Sequence, residues 1–363
     1  MRKKSISILL AALLLTTGLC TACANQNSQK AEQSQSSTAQ ADTVENSTTG
    51  DAEEYYIFDL NENVSRTAVS YENRYGITLS GDLYMASNLD SAEKHPAVLI
   101  GPPYGGVKEQ GPGVYANELA QKGFVVLTFD PSFNGESGGE PRHVSSPDIF
   151  TEDFSAGVDY LGTLDFVDRE QIGAIGICGS GGFALAAAQA DTRIKAVATA
   201  SLFDVSAFGN GLDAAQWAET ITPISQQRWA DVESGTPQYI PNYPEEPTAE
   251  IPSELTGIWA EFYSFYGMER GHHPRALGGF TTTSNAAFYN FQLLNHLNML
   301  TQPVLFMAGE NAETLPISES AYEAVASPKE LLIVPEANHV DLYDDVNKIP
   351  FDKLENFLKE NLK

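Results

Sequence analysis

The sequence predicts an α/β protein built on a mostly parallel central sheet with helices on both of its faces. Two observations lead to this class. Short, continuous apolar runs alternate with segments that have the length and composition of helices, and a glycine-rich bend directly follows one of these runs. Uninterrupted apolar runs are typical of strands buried on both faces, as happens when helices connect parallel strands.

The predicted strands and helices follow one another along the chain. We predict strands at 68–71, 77–85 and 97–100, a helix at 114–121, a strand at 124–130, a helix at 153–164, a strand at 172–177, a helix at 183–190 and a strand at 194–200. The alternation resumes with a strand at 304–308, a helix at 318–325, a strand at 331–334 and a helix at 351–362. The intervening residues 205–302 are far more than a connection needs, so we read them as an insertion after the sixth strand. The core then comprises residues 55–204 and 303–363.

Residues 1–23 have the pattern of an export signal, because three basic side chains precede an apolar run that is too short to span a bilayer. The run ends at Cys20-Thr21-Ala22-Cys23, which resembles the lipobox of bacterial lipoproteins and predicts lipidation of Cys23. Cleavage without lipidation, followed by free secretion, is the alternative. Residues 24–54 have few large apolar side chains, which predicts a disordered tether. We therefore expect an exported protein at the cell surface that meets the membrane only through its lipid anchor.

The charge of the chain argues against one class of partner. The sequence has 48 acidic and 21 basic side chains, a formal net charge of −27. Such a chain is repelled by phosphate backbones, so we expect no nucleic-acid partner. Its three cysteines are too few for a disulfide framework.

The glycine-rich bend at Gly176-Ile177-Cys178-Gly179-Ser180 carries the candidate nucleophile. Its spacing resembles the nucleophile elbow of the α/β-hydrolase fold, with a cysteine at the reactive position. A strand that turns sharply into a helix needs small residues two positions either side, and Gly176 and Ser180 meet this demand. The helix N-terminus at Cys178 favours a thiolate. Two alternatives are Ser180 as the nucleophile and Cys178 as a buried structural thiol.

His339 is the candidate general base, because it follows the last predicted strand, where a hydrolase of this fold places its histidine. The usual acid after the preceding strand is absent, since Gly309-Glu310-Asn311-Ala312 has alanine at that position. Asp204, at the carboxyl end of the sixth strand, and Glu310 are the two candidates for orienting the imidazole, with a slight preference for Asp204.

Acyl transfer also requires donors for an oxyanion. We nominate the backbone amides of Gly179, directly after the nucleophile, and of Tyr104, in the loop after the third strand. Pro102 and Pro103 in that loop have no amide hydrogen to donate. The adjacent pair His272-His273 has no spaced partner of the kind a zinc site needs, so we expect no metal.

Several motifs together resemble the dienelactone-hydrolase-related branch of the α/β-hydrolases, including its bacterial members and the fungal polyketide transferases. They are the stretches 105–110, 129–130, 134–142, 176–182 and 191–197, and the region around His339. The resemblance implies a Cys/His hydrolase or acyltransferase without a cofactor. The chain departs from the family pattern at Pro102 and Pro103, which replace a histidine and a glutamate, and at the missing acid.

The resemblance also implies that residues 205–302 form a cap over the active site. All three tryptophans, Trp217, Trp229 and Trp259, lie in this insertion. Aromatic side chains at this density usually pack on one another, so they form the core of the cap, or alternatively they line an apolar or sugar-stacking pocket.

The sequence therefore predicts a hydrolase that cleaves an ester, thioester or lactone of a small-molecule acyl substrate. Cys178 forms an acyl-enzyme, the Tyr104 and Gly179 amides hold the oxyanion, and His339 moves the proton. Two alternatives stay open: an acyltransferase of the same fold, and a surface lipoprotein that binds a ligand without turnover. The oligomeric state is not predicted.

Overall fold

The computed structural model describes residues 55–363. The export signal at 1–23, the lipidation site Cys23 and the tether at 24–54 lie outside the described residues. Within the described part, no helix is both long enough and apolar enough to cross a membrane.

Eight strands form one sheet in the order β1-β2-β4-β3-β5-β6-β7-β8. Strand β2 runs antiparallel to β1 and β4, and every other neighbouring pair is parallel. This arrangement confirms the predicted mostly parallel sheet. The strands are β1 Val64–Glu72, β2 Thr78–Ala86, β3 His95–Gly101, β4 Val125–Phe129, β5 Val167–Ile177, β6 Ile194–Ala200, β7 Val304–Gly309 and β8 Lys329–Val334.

The central strands are apolar on both sides because each side faces a separate hydrophobic core. In β3, Ala97 and Leu99 belong to one core, whereas Val98 and Ile100 belong to the other. Successive side chains of a strand point to opposite faces, so an uninterrupted apolar run fills both cores.

Nine α-helices lie in the described residues: α1 Gly111–Ala120, α2 Pro147–Thr163, α3 Gly179–Ala190, α4 Ala214–Ser234, α5 Gly257–Tyr266, α6 Asn285–Asn290, α7 Leu315–Ala324, α8 Asp341–Asp344 and α9 Phe351–Asn361. Helices α2 and α3 pack in the core that contains Leu99, and α1 and α9 pack in the core that contains Ile100. Helices α1, α2 and α7 begin several residues before the predicted starts, because each has a proline in its first turn. Proline suits this position, where the missing amide hydrogen has no helical partner to lose.

Residues 205–302 carry helices α4, α5 and α6 and are joined to the sheet domain by polar contacts. The Gln110 side chain donates to the carbonyl of Gly271 at 2.5 Å. The Gln189 side chain of α3 donates to the carbonyl of Leu293 at 3.2 Å. Helix α4 is mostly exposed, and Ile224 is its one buried residue. The insertion therefore contacts the core chiefly through segments other than α4.

Candidate active site

Cys178 occupies the sharp bend between β5 and α3. Its backbone has φ 54° and ψ −118°, the left-handed region that non-glycine residues rarely adopt. Three backbone hydrogen bonds stabilise this strained conformation. The Cys178 amide donates to the carbonyl of Ala200 at 2.8 Å, and the Cys178 carbonyl accepts from the amides of Phe203 and Gly181, each at 3.0 Å. A methyl group on Gly176 would lie 2.1 Å from the carbonyl oxygen of Ser180. The bend therefore requires glycine at 176, as its steric demand predicts.

Ser180 does not share the surroundings of Cys178. A methyl group on Gly101 would lie 2.8 Å from the Ser180 hydroxyl and 2.4 Å from the ring of Phe154. Phe154 belongs to the core that contains α2 and α3, whereas Cys178 belongs to the opposite core. The hydroxyl of Ser180 thus points toward β3 and α2.

The two nominated amides lie side by side next to the thiol. A methyl group on Gly179 would lie 2.7 Å from Tyr104 Cβ and 3.4 Å from its amide nitrogen. Both amides are close enough to the Cys178 sulfur to lower the pKa of its thiol. The Tyr104 ring is fixed from the insertion, because it stacks on Phe280 with ring centroids 4.3 Å apart. This pair of donors has the arrangement that an oxyanion hole requires.

The thiol of Cys178 rests in its protonated form. Burial raises its pKa to about 11, and the neighbouring Tyr343 hydroxyl and the Tyr104 and Gly179 amides oppose this rise without cancelling it. The thiolate that the helix N-terminus favours is therefore not the resting state, because desolvation outweighs the dipole.

His339 lies in the loop before α8 and is completely buried. Its backbone is held from both sides: the amide donates to Glu261 of α5 at 2.9 Å, and the carbonyl accepts from the Ser201 hydroxyl at 2.7 Å. Burial lowers the pKa of its imidazole to about 3. The ring is therefore neutral at physiological pH.

Neither of the two predicted acids reaches the imidazole. Asp204 instead accepts from the amide and the hydroxyl of Ser206, at 2.9 and 2.5 Å, and begins a 3₁₀ turn. Glu310 accepts from the amide of Glu336 at 3.1 Å. In the described chain, the ring nitrogen Nδ1 meets the hydroxyl of Thr314 at 2.5 Å.

Two residues of the site were missed by sequence reasoning, Thr314 and Tyr343. Thr314 lies two residues after Ala312, the position where the family acid is expected, and its side chain has no carboxylate to mark it as the partner of a histidine. The Tyr343 hydroxyl lies 3.0 Å from His339 Nε2 and close enough to the Cys178 sulfur to lower the pKa of the thiol. Tyr343 follows His339 by four residues, and this spacing was the available signal.

The insertion closes over this group from one side. Phe262 of α5 meets the His339 ring edge-on at 5.3 Å, and Phe265 of the same helix meets the Tyr343 ring at 5.1 Å. These contacts fit the role of a cap. Other aromatic side chains of the insertion are exposed, including Trp229 at 74 % and Trp259 at 53 %. The aromatic side chains thus divide between the site, the core of the insertion and its surface.

One cluster of carboxylates beside the site resembles a metal site in composition. Oxygen atoms of Glu109, Asp130 and Glu136 lie within 4.8 Å of one another. The buried ammonium of Lys108 lies 2.5, 3.4 and 2.7 Å from these three groups, respectively. Arg275 of the insertion adds a second cation at 2.6 Å from Glu109. Two basic side chains therefore supply the positive charge that the carboxylates need.

Comparison of the sequence with known proteins identifies the family of the chain. Residues 82–203 match the dienelactone hydrolase family. The chain is 46 % identical over 318 residues to the uncharacterized protein PA2218 of Pseudomonas aeruginosa, a match that covers 84 % of this chain and 83 % of that protein. The chain belongs to the dienelactone hydrolase family. The crystal structure of PA2218 has a TM-score of 0.80 and 45 % identity, and the match covers 86 % of this chain and 98 % of that one.

Two further relatives extend the dienelactone hydrolase family match. The uncharacterized protein YcjY of Escherichia coli is 38 % identical over 292 residues, 77 % of this chain and 92 % of that protein. The acyltransferase drtE of Aspergillus calidoustus is 28 % identical over 283 residues, 76 % of this chain and 87 % of that protein. These matches confirm the predicted resemblance to the α/β-hydrolases, including fungal acyl-transferring members.

Proposed function

We propose that this dienelactone hydrolase family member cleaves ester, thioester or lactone bonds through an acyl-enzyme on Cys178. The observation that carries the proposal is the sulfur at the strained bend, with two adjacent amides and a histidine-linked hydroxyl directed at it. In this mechanism the sulfur attacks the acyl carbonyl and the Tyr104 and Gly179 amides bind the oxyanion. His339 receives the thiol proton and returns it to the leaving group.

The resting protonation states favour substrates with good leaving groups. A tetrahedral intermediate expels the less basic of its two candidates, and an ordinary thiol has a pKa of about 8.5. A simple alkoxide is far more basic than the Cys178 thiolate, so such an ester returns to starting material unless its oxygen is protonated. A thioester carries a leaving group comparable to Cys178 itself. We therefore expect thioesters and esters of acidic alcohols to react faster than esters of simple alcohols.

Acyl transfer is the second candidate function, and one observation favours it. The Nδ1 nitrogen of His339 meets the hydroxyl of Thr314, in place of the carboxylate of an ordinary triad. An imidazole without a charged partner is a weaker base, so it activates water poorly in the second half of the reaction. A thioester on Cys178 would then persist until a better nucleophile than water enters. The relative drtE bears the name of an acyltransferase.

The test is pre-steady-state turnover of p-nitrophenyl acetate by the full chain, with mass spectrometry of the acylated protein. We expect a burst of nitrophenol and an acetyl adduct at Cys178, both absent from Cys178→Ala and retained by Ser180→Ala. Adding an amine or alcohol acceptor distinguishes transfer from hydrolysis, because the acceptor shortens the life of the adduct in a transferase. If the unmutated chain gives neither burst nor adduct, it is a binding protein. Loss of the burst in Ser180→Ala alone would move the nucleophile to Ser180.

We also propose that the chain acts outside the cytoplasm, attached to the membrane through Cys23. The support is the signal-like pattern of residues 1–23 and the lipobox-like end at Cys23. Feeding cells an alkyne-labelled fatty acid should label the protein, and Cys23→Ser should abolish the label. Labelling that survives this substitution would contradict the anchor.

A further inference from the structure

We propose that the hydroxyl group of Tyr343 carries the proton between Cys178 and His339, which makes Tyr343 a catalytic residue. This inference rests on the proposed acyl-enzyme chemistry. It adds a member to the catalytic group that the family motifs do not supply, because the nucleophile and the base exchange their proton through an intervening side chain.

The position of the hydroxyl supports the relay. The Tyr343 oxygen lies 3.0 Å from His339 Nε2, and the same hydroxyl lies in the buried cluster that contains Cys178, close enough to lower the pKa of the thiol. Tyr343 and His339 are both completely buried, so water has little access to the path. Helix α8 places Tyr343 one turn after the histidine, and Phe265 packs edge-on against its ring at 5.1 Å. The ring is thus held in one place while its hydroxyl touches both reacting groups.

The hydrogen bonds have one consistent direction in the resting state. The relay uses the tautomer in which Nδ1–H of His339 donates to the Thr314 oxygen at 2.5 Å, which leaves Nε2 as the acceptor. With Nε2 as the acceptor, the single Tyr343 O–H donates to it at 3.0 Å, and the Tyr343 oxygen is then free to accept the Cys178 S–H in the proposed relay. Each group therefore has a partner, and no charge is present in the dry site.

The proposed step balances its atoms and charges. As the sulfur bonds to the acyl carbon, the S–H proton moves to the Tyr343 oxygen and the Tyr343 proton moves to His339 Nε2. The carbonyl becomes an oxyanion held by the Tyr104 and Gly179 amides, and the imidazole becomes an imidazolium. When the oxyanion collapses to a carbonyl, the bond to the leaving group breaks and the C–S bond stays. The imidazolium returns one proton to the Tyr343 oxygen and the Tyr343 hydroxyl gives its other proton to the leaving group, so His339 is neutral again and the leaving group departs protonated.

The energetic reason for a relay is the cost of a free ion pair. Burial holds the thiol pKa at about 11 and the imidazole pKa at about 3, so proton transfer before attack is strongly unfavourable. If proton transfer is coupled to attack by the sulfur, the new negative charge lies on the carbonyl oxygen, where the two amides bind it. A hydroxyl that can accept and donate at once allows both proton movements in the same step.

The experiment compares Tyr343→Phe with a matched control, Tyr115→Phe. Tyr115 is also completely buried, and its hydroxyl donates at 2.8 Å to the carbonyl of Leu342, the neighbour of Tyr343. Each variant removes one buried tyrosine hydroxyl together with its hydrogen bonding. The readout is the rate constant of the p-nitrophenyl acetate burst in the full chain. We expect Tyr343→Phe to slow the burst by about 10²–10⁴-fold, the usual contribution of positioned proton transfer, and Tyr115→Phe to leave it within a few fold.

Two further arms separate a relay from a structural effect. If Tyr343 acts through His339, then the Tyr343→Phe, His339→Ala double variant should acylate no more slowly than His339→Ala alone. Replacing Tyr343 by 3-fluorotyrosine keeps the ring and the hydroxyl but makes the phenol more acidic, so the burst rate should change measurably. A hydroxyl that only fills space would leave that rate unchanged.

The outcomes for the relay and for the proposed function are distinct. No burst in the unmutated chain would contradict the function. A normal burst in Tyr343→Phe, additive effects in the double variant, or a burst rate insensitive to fluorination would each overturn the relay while the acyl-enzyme stands.

Discussion

Placing a carboxylate at position 314 should raise the pKa of His339. In the native chain the Thr314 hydroxyl meets Nδ1 at 2.5 Å, and burial alone sets the imidazole pKa at about 3. Thr314→Asp puts a negative charge where the family triad has one. An opposite charge within hydrogen-bond reach typically raises a histidine pKa by about 1–3 units.

The size of the kinetic effect follows from the resting pKa values. The pKa of the Cys178 thiol is about 11 and that of the His339 imidazole is about 3, a difference of roughly eight units. Moving the proton from the thiol to the imidazole to form a free ion pair therefore costs on the order of 10 kcal/mol. Raising the imidazole pKa by about 1–3 units removes roughly 1.4–4 kcal/mol of that cost. If this saving is fully expressed in the barrier, acylation accelerates by about 10–10³-fold.

The assay is an NMR titration of the histidine Cε1–H signals, in which His339 is assigned by its loss in His339→Gln. Thr314→Asn is the matched control, because it has nearly the volume and the hydrogen-bonding capacity of aspartate without its charge. We expect the His339 signal of Thr314→Asp to titrate at least one pH unit above that of Thr314→Asn. A signal that titrates no higher than the control would refute the view that desolvation without a charged partner sets the basicity of this histidine.

Two further predictions concern stability. Lys108→Met removes the buried cation that pairs with Glu109, Asp130 and Glu136, and Arg275 is then the remaining basic side chain of the cluster. The free energy of unfolding at pH 7.5 should therefore fall by about 3–5 kcal/mol. Lys122→Met breaks a surface pair with Glu355 and should cost about 0–1 kcal/mol in the same denaturant titration; a similar loss in both variants would contradict the estimate for the cluster. His339 binds a proton in the unfolded chain below about pH 6.5 but in the folded chain only below about pH 3, so its contribution is intact above pH 6.5 and is lost as the pH falls. Between pH 7.5 and pH 5 the native chain should therefore lose roughly 2 kcal/mol more than His339→Gln, and equal losses would show that the imidazole is not desolvated.

The architecture was readable from the sequence because its main signal is local. The parallel strands are continuous apolar runs, and the bend at Cys178 needs glycine at 176 for a steric reason that acts within a few residues. The helix starts were less readable. Pro112, Pro147 and Pro316 lie before the predicted helix starts at 114, 153 and 318, yet each lies in the first turn of a helix, where proline disturbs nothing.

The partner of the histidine was not readable, because it depends on how a loop folds in three dimensions. Asp204 follows the sixth strand, where an acid could face the histidine, but its carboxylate accepts hydrogen bonds from Ser206 in the turn that follows. Glu310 lies in the right turn, but its side chain reaches the amide of Glu336. Thr314 reaches Nδ1 from the residue before α7. The charge state of Cys178 could not be predicted for a related reason. The effect of the helix N-terminus on the thiol pKa is local, whereas the larger effect of burial comes from segments distant in sequence.

The insertion sets the conditions under which this site can react. Helix α5 supplies Phe262 against His339 and Phe265 against Tyr343, and Glu261 of the same helix holds the His339 amide. These contacts exclude water and keep both the base and the nucleophile neutral. In the proposed reaction a charge appears only where it is balanced: an acyl carbonyl next to the Tyr104 and Gly179 amides takes the negative charge as His339 takes the positive one. A site of this kind leaves Cys178 inert toward solvent and makes its reactivity conditional on a seated substrate.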